Sequence, residues 1–95
     1  MEKNDAITTM SALAQTTRLD VFGLLSRAGA EGLTAGQIAE GTGTPANTMS
    51  SHLLIMTRAG LIEPRRAGRN IYYRAVPGAI DQLTDFLSAQ RSPSG

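Results

Sequence analysis

The stretch Thr44-Pro45-Ala46-Asn47-Thr48-Met49-Ser50-Ser51-His52-Leu53-Leu54-Ile55-Met56-Thr57-Arg58-Ala59-Gly60 decides how this chain folds. Thr44 is placed to cap a helix, and Pro45 suits its first position, where a missing N–H costs nothing. Gly60 suits its end. Helical spacing divides the segment into two faces. Met49, Leu53 and Met56 recur at i, i+4 and i+7 and are expected to pack inward. Asn47, Ser50, Ser51, Leu54 and Arg58 fall on the opposite stripe. Short polar side chains near a helix N-terminus suit the reading of a DNA major groove. They let the backbone come close, and asparagine can pair with an adenine edge. The N-terminus itself can hold a phosphate, with Thr44 and Thr48 as added donors. A plain capped surface helix would carry the same stripe, so the flanking sequence has to decide.

Upstream, Thr34-Ala35-Gly36-Gln37 has the capping-box pattern and opens a short helix from Ala35 to Glu40, stopped by Gly41-Thr42-Gly43. Two short helices joined by a tight glycine-rich turn are a helix-turn-helix signature. Before them, Thr16 caps a helix running to about Ala28. Its apolar residues Leu19, Val21, Phe22, Leu24 and Leu25 lie nearly all round, which predicts a core position. A first helix over residues 5–14, with Asp5 as cap, carries Ile7, Met10, Leu13 and Ala14 at helical spacing.

Downstream the periodicity changes. Leu61 to Arg66 and Asn70 to Val76 are β-prone runs around Ala67-Gly68-Arg69, which predicts a hairpin, with Pro64 confining the first strand to an edge. Pro77-Gly78 breaks the chain before a last helix bearing Ala79, Ile80, Leu83, Phe86 and Leu87 on one side. The expected fold is mainly α with a small β-hairpin wing, a winged helix-turn-helix of five helices. It forms one domain over residues 1–90, and residues 91–95 are expected to be a disordered tail.

Charge is unevenly spread. Net charge is +1, yet residues 41–80 hold Arg58, Arg65, Arg66, Arg69 and Arg74 against the single acid Glu63, a local +4. The rest of the chain sums to −3. One basic face on a polar molecule is the footprint of a phosphate-backbone binder. Arg65, Arg66 and Arg69 crowd the hairpin turn, where a solvated loop would usually mix both signs. Arginines on a hairpin just after a helix-turn-helix suit a wing laid along a phosphate backbone or minor groove.

Composition removes other classes. With no cysteine, disulfides, thiolate metal sites, thiol switches and cysteine nucleophiles are excluded together. The one histidine, His52, leaves a poor ligand set for transition metals and no catalytic constellation, so neither an enzyme nor a bound cofactor is expected. No apolar run approaches the roughly 20 residues that cross a bilayer, and the charged start Met1-Glu2-Lys3-Asn4-Asp5 lacks a signal-type core. The expectation is a cytoplasmic protein without membrane partners.

Several ordered segments carry a resemblance. They are Thr17-Arg18-Leu19, Gly36-Gln37-Ile38-Ala39-Glu40, Met49-Ser50-Ser51-His52-Leu53, Arg58-Ala59-Gly60-Leu61-Ile62 and Arg66-Ala67-Gly68-Arg69-Asn70-Ile71-Tyr72-Tyr73. Together, over about residues 7–88, they closely resemble the ArsR/SmtB family of bacterial repressors. The resemblance implies a homodimer joined through its first and last helices, operator DNA as partner, and release of that DNA by an inducer. It gives Asn47, Thr48, Ser50, Ser51 and His52 a DNA-facing role. For His52, a backbone contact and a half-buried structural place remain equal alternatives. The first and last helices supply Ile7, Met10, Leu13, Ile80, Leu83 and Leu87 as the expected dimer interface. Leu54 departs from the family habit of a basic or polar residue. The inducer sites of relatives are missing too. The third helix begins Leu33-Thr34-Ala35-Gly36-Gln37 without a ligand, the last offers Asp81 and Asp85 without histidine, and Ser88-Ala89-Gln90-Arg91-Ser92 replaces a cysteine-bearing tail. The competing reading is a winged-helix protein-interaction module that has lost DNA binding.

Overall fold

A computed structural model describes residues 1–91. The order is α1 (Lys3–Leu13), α2 (Thr16–Ala28), β1 (Leu33–Thr34), α3 (Ala35–Thr42), α4 (Ala46–Arg58), β2 (Ile62–Ala67), β3 (Asn70–Ala75) and α5 (Ala79–Ala89). Five helices and a small antiparallel sheet make the expected winged helix-turn-helix. The tail expected at residues 91–95 lies, beyond Arg91, outside the described residues.

Local chemistry sets the helix ends, and it corrects three expected caps. Glu2 caps α1, and Asp5 closes a capping box as the third helical residue. Gln15 caps α2, its side chain accepting from the Arg18 N–H at 2.8 Å, so Thr16 is the first helical residue. The Thr34–Gln37 box on α3 forms as expected, with bonds of 3.2 and 2.9 Å. That helix runs through Gly41 to Thr42, and Gly43 stops it. Thr44 does not cap α4. Its hydroxyl accepts from Thr42 Oγ1 at 3.0 Å, and Pro45 occupies the cap position with no side-chain bond to the helix. At the far end the Gly60 N–H bonds the Thr57 carbonyl and the Leu61 N–H bonds that of Met56. This paired closure is a Schellman motif, and it turns the chain straight into β2.

The core is built by Val21 and Leu25 of α2, Ile38 of α3, Met49, Leu53 and Met56 of α4, and Leu61 and Ile62 at the start of β2. The inward stripe of α4 is thus as expected. Helix α2 differs, because only Val21 and Leu25 are buried and Leu19 is 56% exposed. On α1 the small residues Ala6, Thr9 and Ala12 face in, which leaves Ile7 and Met10 outside. On α5 the inward residues are Ala79 and Leu83.

The sheet has the order β1-β3-β2. Its third strand was not expected: Leu33 and Thr34 pair with Tyr73 and Tyr72. Gly32 permits this approach, since a Cβ there would lie 2.2 Å from the Tyr73 carbonyl oxygen. Strand β2 is an edge, as Pro64 requires. The hairpin register runs from Ile62 opposite Ala75 to Ala67 opposite Asn70. Gly68 and Arg69 form the turn, with a left-handed φ at Gly68 alone, the arrangement that favours glycine at the first position of a II′ turn.

Candidate nucleic-acid interface

Helix α4 presents Asn47, Thr48, Ser50, Ser51, Leu54 and Arg58 to solvent. The burial of Met49, Leu53 and Met56 fixes this orientation, since the exposed stripe is the opposite side of the same cylinder. Two of the polar side chains are folded back on the helix. Asn47 Oδ1 accepts from the Thr48 N–H at 2.9 Å, and Ser50 donates to the Ala46 carbonyl at 3.3 Å. Both bonds are exposed and local, so both can be exchanged for a partner outside the chain. Ser51 makes no side-chain bond among the described residues. Thr44 and His52 are half-buried, unlike the rest of the expected set. Ile55, 42% exposed beside Leu54, was not singled out in the sequence, although it stands four residues on from Ser51 and three before Arg58 on the outward side.

The wing separates arginines that look like one cluster in the sequence. Side chains alternate across a strand. Ile62 is buried against the helices, so Pro64 and Arg66 continue its face, while Glu63, Arg65 and Ala67 share the other. On that second face Arg65 stacks over the Tyr72 ring, 5.7 Å from its centroid, and reaches the Glu31 carbonyl at 3.4 Å. Arg74 donates from Nε to Glu63 at 2.6 Å in a cross-strand ion pair. Arg66 stands opposite Ile71 on the helix-side face, and Arg69 sits at the turn, both exposed and without a protein partner among the described residues. The unpaired positive charge of this half is therefore concentrated at Arg58, Arg66 and Arg69, with Arg65 partly engaged.

The expected dimer residues divide as well. Helices α1 and α5 touch, and they expose Ile7, Met10, Ile80 and Leu87. Leu13 is half-buried against the core, and Leu83, 7% exposed, lies within the protomer. Leu83 is thus a core residue, because the α5 face it shares with Ala79 packs inward. No three His, Asp or Glu side chains gather in a metal-binding group among the described residues. No helix of the described chain is long and apolar enough to cross a membrane.

The chain matches the helix-turn-helix domain family over residues 13–65. It is 37% identical over 59 residues to the HTH-type transcriptional regulator YbzH of Bacillus subtilis. That match covers 62% of this chain and 59% of the relative, so the chain spans under two thirds of the length of this curated relative. Among solved structures it resembles one described as a possible transcriptional regulator for arsenical resistance. The TM-score is 0.73 and the identity 31%, over 85% of this chain and 81% of the other. It also resembles the homodimeric winged helix-turn-helix DNA-binding domain of a possible ArsR-family regulator from Mycobacterium bovis. There the TM-score is 0.74 and the identity 28%, over 90% of this chain and 77% of the other.

Proposed function

We propose that this chain, which belongs to the helix-turn-helix domain family and within it to the ArsR type of winged-helix regulator, is a homodimeric, sequence-specific DNA-binding repressor of the cytoplasm. One observation carries the reading: the exposed stripe of α4 from Asn47 to Leu54 holds short, uncharged side chains apart from Leu54, while the last turn of the helix and the hairpin that follows carry unpaired arginines. Neutral polar side chains on a helix can read base edges, and free guanidiniums on a wing can hold phosphates. Asn47, Ser50 and Ser51 read the major groove. Thr48, Arg58, Arg66 and Arg69 contact the backbone, with Thr44, His52 and Arg65 beside them. With no side-chain cap from Pro45, the Ala46 and Asn47 N–H groups that open α4 are available to a phosphate.

The homodimer rests on the apolar residues that α1 and α5 expose together, and on the homodimeric state of the Mycobacterium bovis relative. A two-fold axis between those helices sets two copies of α4 on successive major grooves. The operator is then an imperfect palindrome with half-site centres roughly 10–11 base pairs apart, or a multiple of that. Any inducer acts through chemistry other than thiolate or paired-histidine coordination, because the chain holds no cysteine and one histidine. The protein-interaction reading has one observation in its favour, the exposed Leu54–Ile55 pair on α4.

Selection of bound sequences from random duplex DNA, followed by titration at several salt concentrations, tests the proposal. The expected result is a palindromic consensus and an affinity that falls steeply with salt. No duplex binding at low salt would sink it in favour of the interaction module.

A further inference from the structure

His52 lies half-buried at the edge of α4, four residues on from the exposed Thr48. Its Nδ1 is 3.3 Å from Nη1 of Arg18, a residue 34 positions earlier in the first turn of α2. Arg18 is itself held, since its Nε donates to the Ala12 carbonyl at 2.6 Å and its backbone N–H is bound by Gln15. A guanidinium has donors and no acceptor, and it stays protonated. Nδ1 must therefore accept. It carries a lone pair, and the single ring hydrogen sits on Nε2. Nε2 has no hydrogen-bond partner among the described residues. Nor does any buried side-chain nitrogen or oxygen there lack one, so Nε2 is open to the surface.

We propose that Arg18 is a positioning residue: it holds His52 as the neutral Nε2–H tautomer and so presents one uncharged donor to a DNA phosphate beside α4. The inference rests on the DNA-binding reading and assigns one phosphate contact within it. It gives Arg18 a task other than binding DNA itself, since two of its donors are already committed inside the protein. It also separates His52 from the wing. A neutral donor displaces no counterion, so the contact adds affinity without adding to the salt dependence that arginine contacts create.

The chain has one histidine, so a long-range proton–nitrogen spectrum of the labelled protein shows a single ring. For the neutral ring the expected spectrum has a hydrogen on Nε2 and a bare Nδ1. Arg18→Met, which removes the donor and keeps much of the stem, should let the two tautomers average. On a duplex recovered by selection from random DNA, His52→Leu should bind about three- to tenfold more weakly, the loss of one neutral hydrogen bond, with an unchanged slope of log K against log salt. His52→Gln has an amide oxygen for Arg18 and an amide N–H for the phosphate, and should recover most of the affinity. Adding Arg18→Met to His52→Leu should cost nothing further. Should Arg18→Met fail to fold, the wild-type ring spectrum and the two His52 variants still decide. A protonated Nδ1 in the wild type would overturn the proposal. So would a slope that falls by about 0.9 in His52→Leu, the mark of a cationic contact, or wild-type affinity in that variant. A wild type that binds no duplex while showing the Nε2–H tautomer would remove the DNA-binding reading, and the phosphate contact with it.

Discussion

Helix α4 and the wing are adjacent in sequence, yet they present opposite chemistry to solvent. The exposed stripe of α4 from Asn47 to Leu54 holds no charged residue, and its one cation, Arg58, sits in the last turn. The wing carries three arginines between positions 65 and 69 and no unpaired acid. A rigid helix with short neutral side chains can come close enough to distinguish bases. A two-stranded ribbon with long charged ones can follow a backbone whatever its sequence. Under the proposed function, specificity and sequence-independent affinity fall to separate elements, joined by the tight closure at Gly60 and Leu61. Mutations in the two regions should differ in kind as well as in size.

The largest effect should come from removing the second copy of both regions at once. Ile80→Asp or Leu87→Asp puts a charge on the exposed face of α5, and each should give folded monomers. Losing the tether between two half-sites should weaken specific binding by about 10²–10⁴-fold. Leu83→Asp should instead unfold the protomer, because Leu83 is buried in it. Sedimentation and thermal melts of the three variants, beside an operator titration, separate the outcomes. A Leu87→Asp dimer with wild-type affinity would place the interface elsewhere.

Next in size is the wing. Arg66→Ala with Arg69→Ala should weaken binding to all duplexes about equally and flatten the slope of log K against log salt by about 1.8, near 0.9 for each phosphate contact. If selected and unselected sequences lose affinity unequally, the wing is reading bases and the division between the two regions fails.

The sequence carried the arrangement of helices and hairpin because each boundary has a local chemical cause, such as the Thr34–Gln37 box or Pro64 on an edge strand. What it did not carry depends on pairing across the fold. Strand β1 has two residues, too few for an alternation to show. Arg65, Arg66 and Arg69 form one cluster in the sequence until the register sets Arg65 opposite Tyr72, and Arg74 is part of the charge sum until it stands opposite Glu63. The bond from Arg18 to His52 spans a separation no periodicity reports. Thr16 has the kind of side chain that usually caps a helix, yet Gln15 takes that place through the 2.8 Å bond its side chain accepts from the Arg18 N–H. Leu83 looked like its neighbours Ile80 and Leu87, and only the packing of α5 shows that it faces inward.

On the helix side, Asn47→Ala and Ser51→Ala should change which sequence is preferred more than how tightly DNA is held. Loss of a good base contact costs about 1–3 kcal/mol of discrimination at one position of the half-site. Selection repeated with each variant measures this directly. An unchanged consensus in both would leave the reading role to other residues of α4.

The smallest effect should be the most discriminating, because it concerns an arginine that charge counting includes and the structure removes. Arg74 lies in β3 and donates to Glu63 across the ladder, with both side chains roughly a third to two-fifths exposed. Its charge is answered within the hairpin, and it has no need of a phosphate. Arg74→Ala should leave the salt slope at its wild-type value. Partly exposed ion pairs contribute about 0–1 kcal/mol, so the thermal midpoint should move by only a few degrees. Arg65, which keeps its charge but stacks on Tyr72, should fall between Arg74 and Arg66 when replaced by alanine. Glu63→Gln supplies the reverse test. It frees the Arg74 guanidinium without changing the fold, and should steepen the slope by up to about 0.9. If Arg74→Ala flattens the slope as much as Arg66→Ala does, the cross-strand pair opens on DNA, and the basic face is the whole hairpin rather than the helix-side face and tip of the wing.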